Sequence, residues 1–136
     1  MRNQPALIAE KIAAKFQRTA KLAADAGILP YKSAAGEWIT SPFDGNSWWT
    51  GGFWPGLMWQ LYSFTHNDFF QQEALRTEKM LTDELRTFRF LNHDVGFMYL
   101  LSCGAHHKLT GDEQAAQDTL HAANLLMGRY NPVGYI

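Results

Sequence analysis

The stretch FWPGLMWQLYSFTH, residues 53–66, decides how this chain is built. Phe53, Trp54, Leu57, Met58, Leu61 and Tyr62 recur at helical spacing, while Trp59 and Phe64 make the other faces apolar as well. A helix that is greasy nearly all round is a buried one. Pro55 has no N–H to donate and fits only a first turn, so the helix begins near Phe53 or Trp54.

Towards the C-terminus the character of the helices alternates. His66-Asn67-Asp68 breaks the pattern, and Asp68 with Gln71 one turn later has the form of a capping box for a helix over 69–90. Phe70, Ala74, Thr77, Leu81, Leu85 and Phe88 form its single apolar stripe, with charges opposite, so this helix is peripheral. VGFMYLLSCGAHHKL, residues 95–109, is again apolar on several faces and opens at Asp94; Gly96 and Gly104 allow close helix approach. Thr110-Gly111-Asp112 makes the next turn with Asp112 as cap. Ala115, Ala116, Thr119, Ala123, Leu126, Met127 and Tyr130 then stripe a last amphipathic helix, which Asn131-Pro132 ends.

Towards the N-terminus, Ile8, Ile12, Phe16, Thr19 and Leu22 or Ala23 fall on one stripe of an amphipathic helix over 5–26, stopped by Gly27 and Pro30. Residues 28–50 are punctuated by Pro30, Gly36, Pro42 and Asp44-Gly45 and read as a long loop with a short extended piece over 37–40. Loops longer than roughly 12–15 residues tend to be functional.

Buried helices over 53–66 and 94–109 thus alternate with amphipathic ones over 69–90 and 112–130. That is the plan of a toroid of helical hairpins, all-α; an ordinary bundle competes, although each of its helices would present one stripe. A closed ring needs more hairpins than are present, so the ring is open or the chain is part of a larger one. At 136 residues the chain amounts to one domain or a piece of one.

Charge and composition exclude several classes. The net charge is -1 and no basic stripe exists, which excludes a nucleic-acid partner. No apolar run approaches the roughly 18 residues of a membrane span, and Glu10, Lys11 and Lys15 interrupt the N-terminal segment before a signal peptide can form. A single Cys103 allows neither an intrachain disulfide nor a thiolate metal cluster, so a cytoplasmic location is the default expectation.

Two passages carry the chemistry. Any one ring in WWTGGFWPG, residues 48–56, is a core residue by default. As a group at the junction of loop and buried helix, the adjacent tryptophans and the Gly51-Gly52 pair suit a platform on which a sugar ring stacks, with flexible backbone beside it. His93-Asp94 opens the second buried helix at the same kind of end. Asp94 is a natural N-cap, but Asn92 can take that part, which leaves a carboxylate beside aromatics where glycosidic chemistry needs an acid, base or charge stabiliser. His106-His107, without a carboxylate or third His at ligand spacing, reads as helix-end structure rather than a metal site, as do His66 and His121. Cys103 reads as a small core residue.

WWTGGFWPG followed by NHDVGFMYLLSCGAHHKLTGDE resembles the unsaturated glucuronyl hydrolase family, and more distantly the unsaturated rhamnogalacturonyl hydrolases, from about Trp38 to Asn131. The resemblance implies an (α/α)6 barrel of helical hairpins, of which this chain supplies the front third. It implies that Trp49 and Phe53 line the subsite for an unsaturated uronic acid and that His93 and Asp94 face its ring. The implied reaction protonates the C4=C5 vinyl ether, adds water at C5 and opens the hemiketal to release the rest of the saccharide, without metal or organic cofactor. Of the family's two aspartates Asp94 matches the first. The second, the main acid and base, lies beyond the Asn-Pro turn, and neither Asp112 nor Asp118 replaces it.

The expectation is therefore a glycosidase acting on unsaturated uronic-acid oligosaccharides, inactive as this segment alone. A non-catalytic helical module binding sugar or a protein is the alternative. Inner helices without the rest of a ring also expose apolar faces, which makes self-association a further expectation.

Overall fold

A computed structural model describes residues 4–40, 46 and 48–134. Six helices account for most of it: α1 (Gln4–Asp25), α2 (Phe53–Thr65), α3 (Asp68–Thr87), α4 (Val95–Leu101), α5 (Cys103–Thr110) and α6 (Glu113–Met127). They form two layers. α2 lies beside α4 and α5, while α3 covers α2, α6 covers α4 and α5, and α1 flanks α3. This is the alternation read from the sequence, inner helices each backed by an outer one.

The core runs between the layers through Met58, Trp59, Leu61, Phe70, Leu81, Leu85, Met98 and Tyr99. Five of the six stripe residues expected on α3 are buried; Phe88 falls past the helix end, in a left-handed conformation, and is exposed. The cap of α3 is Asn67, whose Oδ1 accepts the Phe69 N–H, so the expected capping box on Asp68 is displaced by one residue. Asp112 caps α6 as expected, accepting the Ala115 N–H at 2.8 Å.

In α1 and α6 the buried face is not the bulky one. Ala20 and Ala23 are fully buried in α1, whereas Ile8, Ile12 and Leu22 are exposed. In α6 Ala115, Asp118 and Ala122 are buried, while Ala123 and Met127 face out, as does Tyr130 past the helix end. Small side chains let these helices lie close to their neighbours, so alanine rather than isoleucine or methionine marks the contact.

Two further differences shape the site. The helix expected over 94–109 is two helices broken at Ser102 (φ −92°, ψ −86°), whose hydroxyl donates to the Met98 carbonyl at 2.9 Å. A serine hydroxyl bonded back to the preceding turn competes with the helix's own ladder and bends it. The expected extended piece is strand β2 (Glu37–Ile39), paired antiparallel with β1 (Lys32–Ala34) across a turn in which Ala35 and Gly36 both have positive φ. The expected punctuation at Pro42 and Asp44-Gly45 lies outside the described residues.

Candidate active site

The two motifs meet where the inner helices begin. A single 3-10 turn, Trp49–Gly52, leads straight into α2 and packs on α4. Gly52 sits so close to α4 that a Cβ there would stand 2.6 Å from Met98 Cα and 2.7 Å from Met98 O. One turn later, a Cβ on Gly56 would stand 2.8 Å from the Leu101 carbonyl. These glycines are a close-packed seam. The flexible backbone expected beside the platform is thus not what Gly52 provides, because it is buried against backbone that cannot move aside.

The seam brings three aromatic rings together. Phe53 lies 5.8 Å from Trp49 and 5.3 Å from Phe97, and Trp49 lies 6.4 Å from Phe97, at edge or tilted angles. All three are exposed, Trp49 by 40% and Phe53 by 48%. Trp48 turns away to meet Tyr31, and Trp38 packs on Trp54. The apolar faces left open at this corner suit the apolar face of a sugar ring. Phe97 is the member that the sequence reading left in the buried helix. It stands one turn after Asp94, on the side of α4 that meets Phe53, a placement that no local pattern gives away.

Asp94 precedes the first residue of α4, yet its side chain makes no capping hydrogen bond. Asn92 Oδ1 instead accepts the Asp94 N–H at 2.8 Å, and the Asn92 carbonyl accepts from Val95. An aspartate at an N-cap stabilises a helix by about 1 kcal/mol, so a carboxylate that forgoes this bond is free for other work. His93 Nε2 lies 3.6 Å from Asp94 Oδ2, with His93 the more exposed of the two.

Behind the platform stands a network that periodicity did not reveal. Trp54 Nε1 donates to Glu73 Oε1 at 2.9 Å and Trp59 Nε1 to Glu78 Oε2 at 3.0 Å. Both carboxylates are buried, and each has its own basic partner. Arg76 donates from Nε and from a terminal nitrogen to Glu73, and also to the Ile28 carbonyl. His106 Nδ1 is 2.8 Å from Glu78 Oε1, and its ring stacks on Trp59 at 4.4 Å. Burial lowers the His106 pKa, but the hydrogen bond and charge of Glu78, with Asp112 adding, outweigh it and leave it above the ordinary value.

His106 is therefore a buried partner of a carboxylate, and His107 contacts the Asp112 carbonyl near the end of α5. His66 ends α2 in a left-handed conformation, while His121 lies within α6 against Phe88 rather than at a helix end. Burial, then the charge of Glu78, pushes the Cys103 thiol up, as befits a core residue. Among the described residues no group of three or more His, Cys, Asp or Glu is placed to hold a metal, and no helix is long and apolar enough to cross a membrane.

Stacked helical hairpins, inner helices each backed by an outer one, define part of an α/α toroid, with an aromatic corner where its inner helices begin. By sequence and fold the chain is a relative of the unsaturated glucuronyl hydrolases, matching a portion of them. It is 36% identical over 94 residues to the unsaturated chondroitin disaccharide hydrolase of Streptococcus pneumoniae, covering 68% of this chain and 24% of that protein. It is 38% identical over 86 residues to the unsaturated glucuronyl hydrolase of Bacillus sp. strain GL1, covering 62% and 23% respectively. A mutant unsaturated glucuronyl hydrolase from Streptococcus agalactiae, solved complexed with dGlcA-GalNAc6S, superposes with a TM-score of 0.73 at 26% identity, covering 90% of this chain and 33% of that one. No family model matches the chain. The chain thus spans about a quarter of the length of these curated relatives.

Proposed function

We propose that residues 1–136 are part of a single catalytic toroid that removes unsaturated glucuronic acid from the non-reducing end of oligosaccharides made by polysaccharide lyases. The observation that carries this reading is the Asp94 carboxylate, uncommitted to its helix and one turn from the aromatic corner of Trp49, Phe53 and Phe97. In this reading Trp49 and Phe53 hold the apolar face of the unsaturated ring, with Phe97 bracing them. Asp94 and His93 address its polar edge.

The chemistry is hydration of a vinyl ether. A carboxylic acid gives its proton to C4, the developing cation at C5 takes the oxygen of water, and the water's surplus proton goes to a base. The resulting hemiketal opens, and the saccharide leaves from C1. Asp94, as a carboxylate, stabilises the positive charge or orients the water. Asp112 is held in a cap and Asp118 by Arg86 and Gln114, so the proton donor is assigned to a part of the relatives' length that this chain does not span.

The test, on a chain that spans the whole toroid, is the decay of the ultraviolet absorbance of a lyase-generated unsaturated disaccharide. Decay that is lost in Asp94→Asn supports the assignment, and an unchanged rate in that variant overturns it. Binding without decay, weakened by Trp49→Ala, favours the second reading, a non-catalytic saccharide-binding module. A third reading, self-association, is supported by the outward apolar residues Leu100 (64% exposed) on α4 and Met127 (72%) on α6. A concentration-independent monomer in size-exclusion chromatography would sink it.

A further inference from the structure

We infer that Asn92 is a positioning residue for Asp94, a role that rests on the proposed hydrolase reading. Asp94 stands where an aspartate ordinarily turns its carboxylate onto the amides of the first helical turn. It does not do so here. Its backbone is in the right-handed helical region (φ −83°, ψ −2°) rather than the extended conformation that most N-caps adopt. The contact that fixes this conformation is the bond from the Asp94 N–H to Asn92 Oδ1, reinforced by the Val95 N–H donating to the Asn92 carbonyl at 3.3 Å. Asn92 and Asp94 are both half-buried.

The consequence is a competition for one carboxylate. The Gly96 and Phe97 amides begin α4 and have no earlier helical carbonyl to bond. Without the Asn92 side chain, Asp94 relaxes towards the extended conformation and its carboxylate turns to those amides. The same movement draws the charge away from the aromatic corner. Asn92 touches no substrate in this account; it acts through Asp94.

The variants are Asn92→Ala, which removes the acceptor, and Asn92→Asp, which restores one. In a chain that spans the whole toroid, with an unsaturated disaccharide as substrate, Asn92→Ala lowers kcat about tenfold or more while KM stays within about twofold, and Asn92→Asp recovers much of the loss. A residue that only held the helix would lower the amount of folded protein and leave the kcat of the remainder alone. A second measurement does not need turnover. Hydrogen exchange at the Phe97 amide slows in Asn92→Ala, and the slowing vanishes when Asp94→Ala is added. Unchanged exchange at Phe97 overturns the positioning role. Absence of turnover in an unaltered chain that spans the whole toroid overturns the hydrolase reading instead, and the exchange result still decides the role of Asn92.

Discussion

Phe53 and Trp54 are neighbours in sequence with opposite fates. Trp54 is buried among Phe16, Trp38 and α3, its indole N–H held by Glu73; Phe53, one residue earlier, is half exposed and meets Trp49 and Phe97. Trp59 repeats the first pattern with Glu78. A buried indole must have its N–H paired, and here the outer helix supplies a carboxylate, which in turn needs a cation. Arg76 provides it for Glu73, and His106, whose pKa is raised by Glu78, does so for Glu78 when protonated. The aromatic wealth of this segment is thus two things at once, a locked interior and an open corner standing on it.

The most damaging way to break the comparison is to attack the locked side. Glu73→Ala leaves the Trp54 N–H and the Arg76 guanidinium without their carboxylate, and the expected loss is about 3–5 kcal/mol. Urea denaturation followed by circular dichroism measures it. Glu73→Gln, which keeps an acceptor for Trp54, costs less. If Glu73→Ala costs no more than truncating an exposed ring, the two regions do not differ as described.

Next is the seam that joins them. Gly52→Ala drives a methyl into the Met98 backbone, and overpacking of that kind costs about 1–3 kcal/mol. Gly96→Ala is the control, because its added carbon meets the Leu126 side chain, which can rotate away. Equal costs in the two variants would show that the contact between the 3-10 turn and α4 yields.

Both regions were unevenly legible in the sequence. The alternation of greasy and striped helices was visible because all-round apolarity and a single stripe are patterns of one helix at a time. The passages that hold Trp49, Phe53, His93 and Asp94 were visible as candidates because they flank the starts of the greasy helices, and the family resemblance singled out Trp49 and Phe53 among the rings. Glu73 and Glu78 were not, since a charge on an outer helix reads as solvated until a partner indole from another helix is known. The alanine faces of α1 and α6 were missed for a related reason: periodicity weighs bulk, whereas close packing selects small side chains. The break at Ser102 depends on which way one hydroxyl turns, and Phe97 was hidden because nothing local separates an exposed ring on an inner helix from a buried one.

A gentler test uses pH. The His106 pKa lies above its ordinary 6.5 in the folded chain, so the fold holds this proton more tightly than the unfolded chain does. The stability it contributes is complete below about pH 6.5 and is lost as pH rises through the folded-state value. Denaturation midpoints measured across neutral to mildly alkaline pH should fall, and that fall should be absent in His106→Gln. A parallel decline in both would mean that some other group carries it.

The smallest effect on stability belongs to the open corner and says the most about function. Trp49 is 40% exposed, and its ring meets only Phe53 and Phe97 among the aromatic contacts described. Trp49→Ala therefore costs on the order of 1 kcal/mol, well below the roughly 3–5 kcal/mol of truncating a fully buried Trp, because part of its surface is already in water. In the proposed function the same substitution removes one wall of the sugar platform and weakens binding of an unsaturated disaccharide on the order of tenfold. Titration calorimetry and denaturation on the same preparation separate the two quantities. A large stability loss with unchanged affinity would reverse the comparison, making Trp49 a core residue like Trp54 and leaving the corner without a ligand to serve.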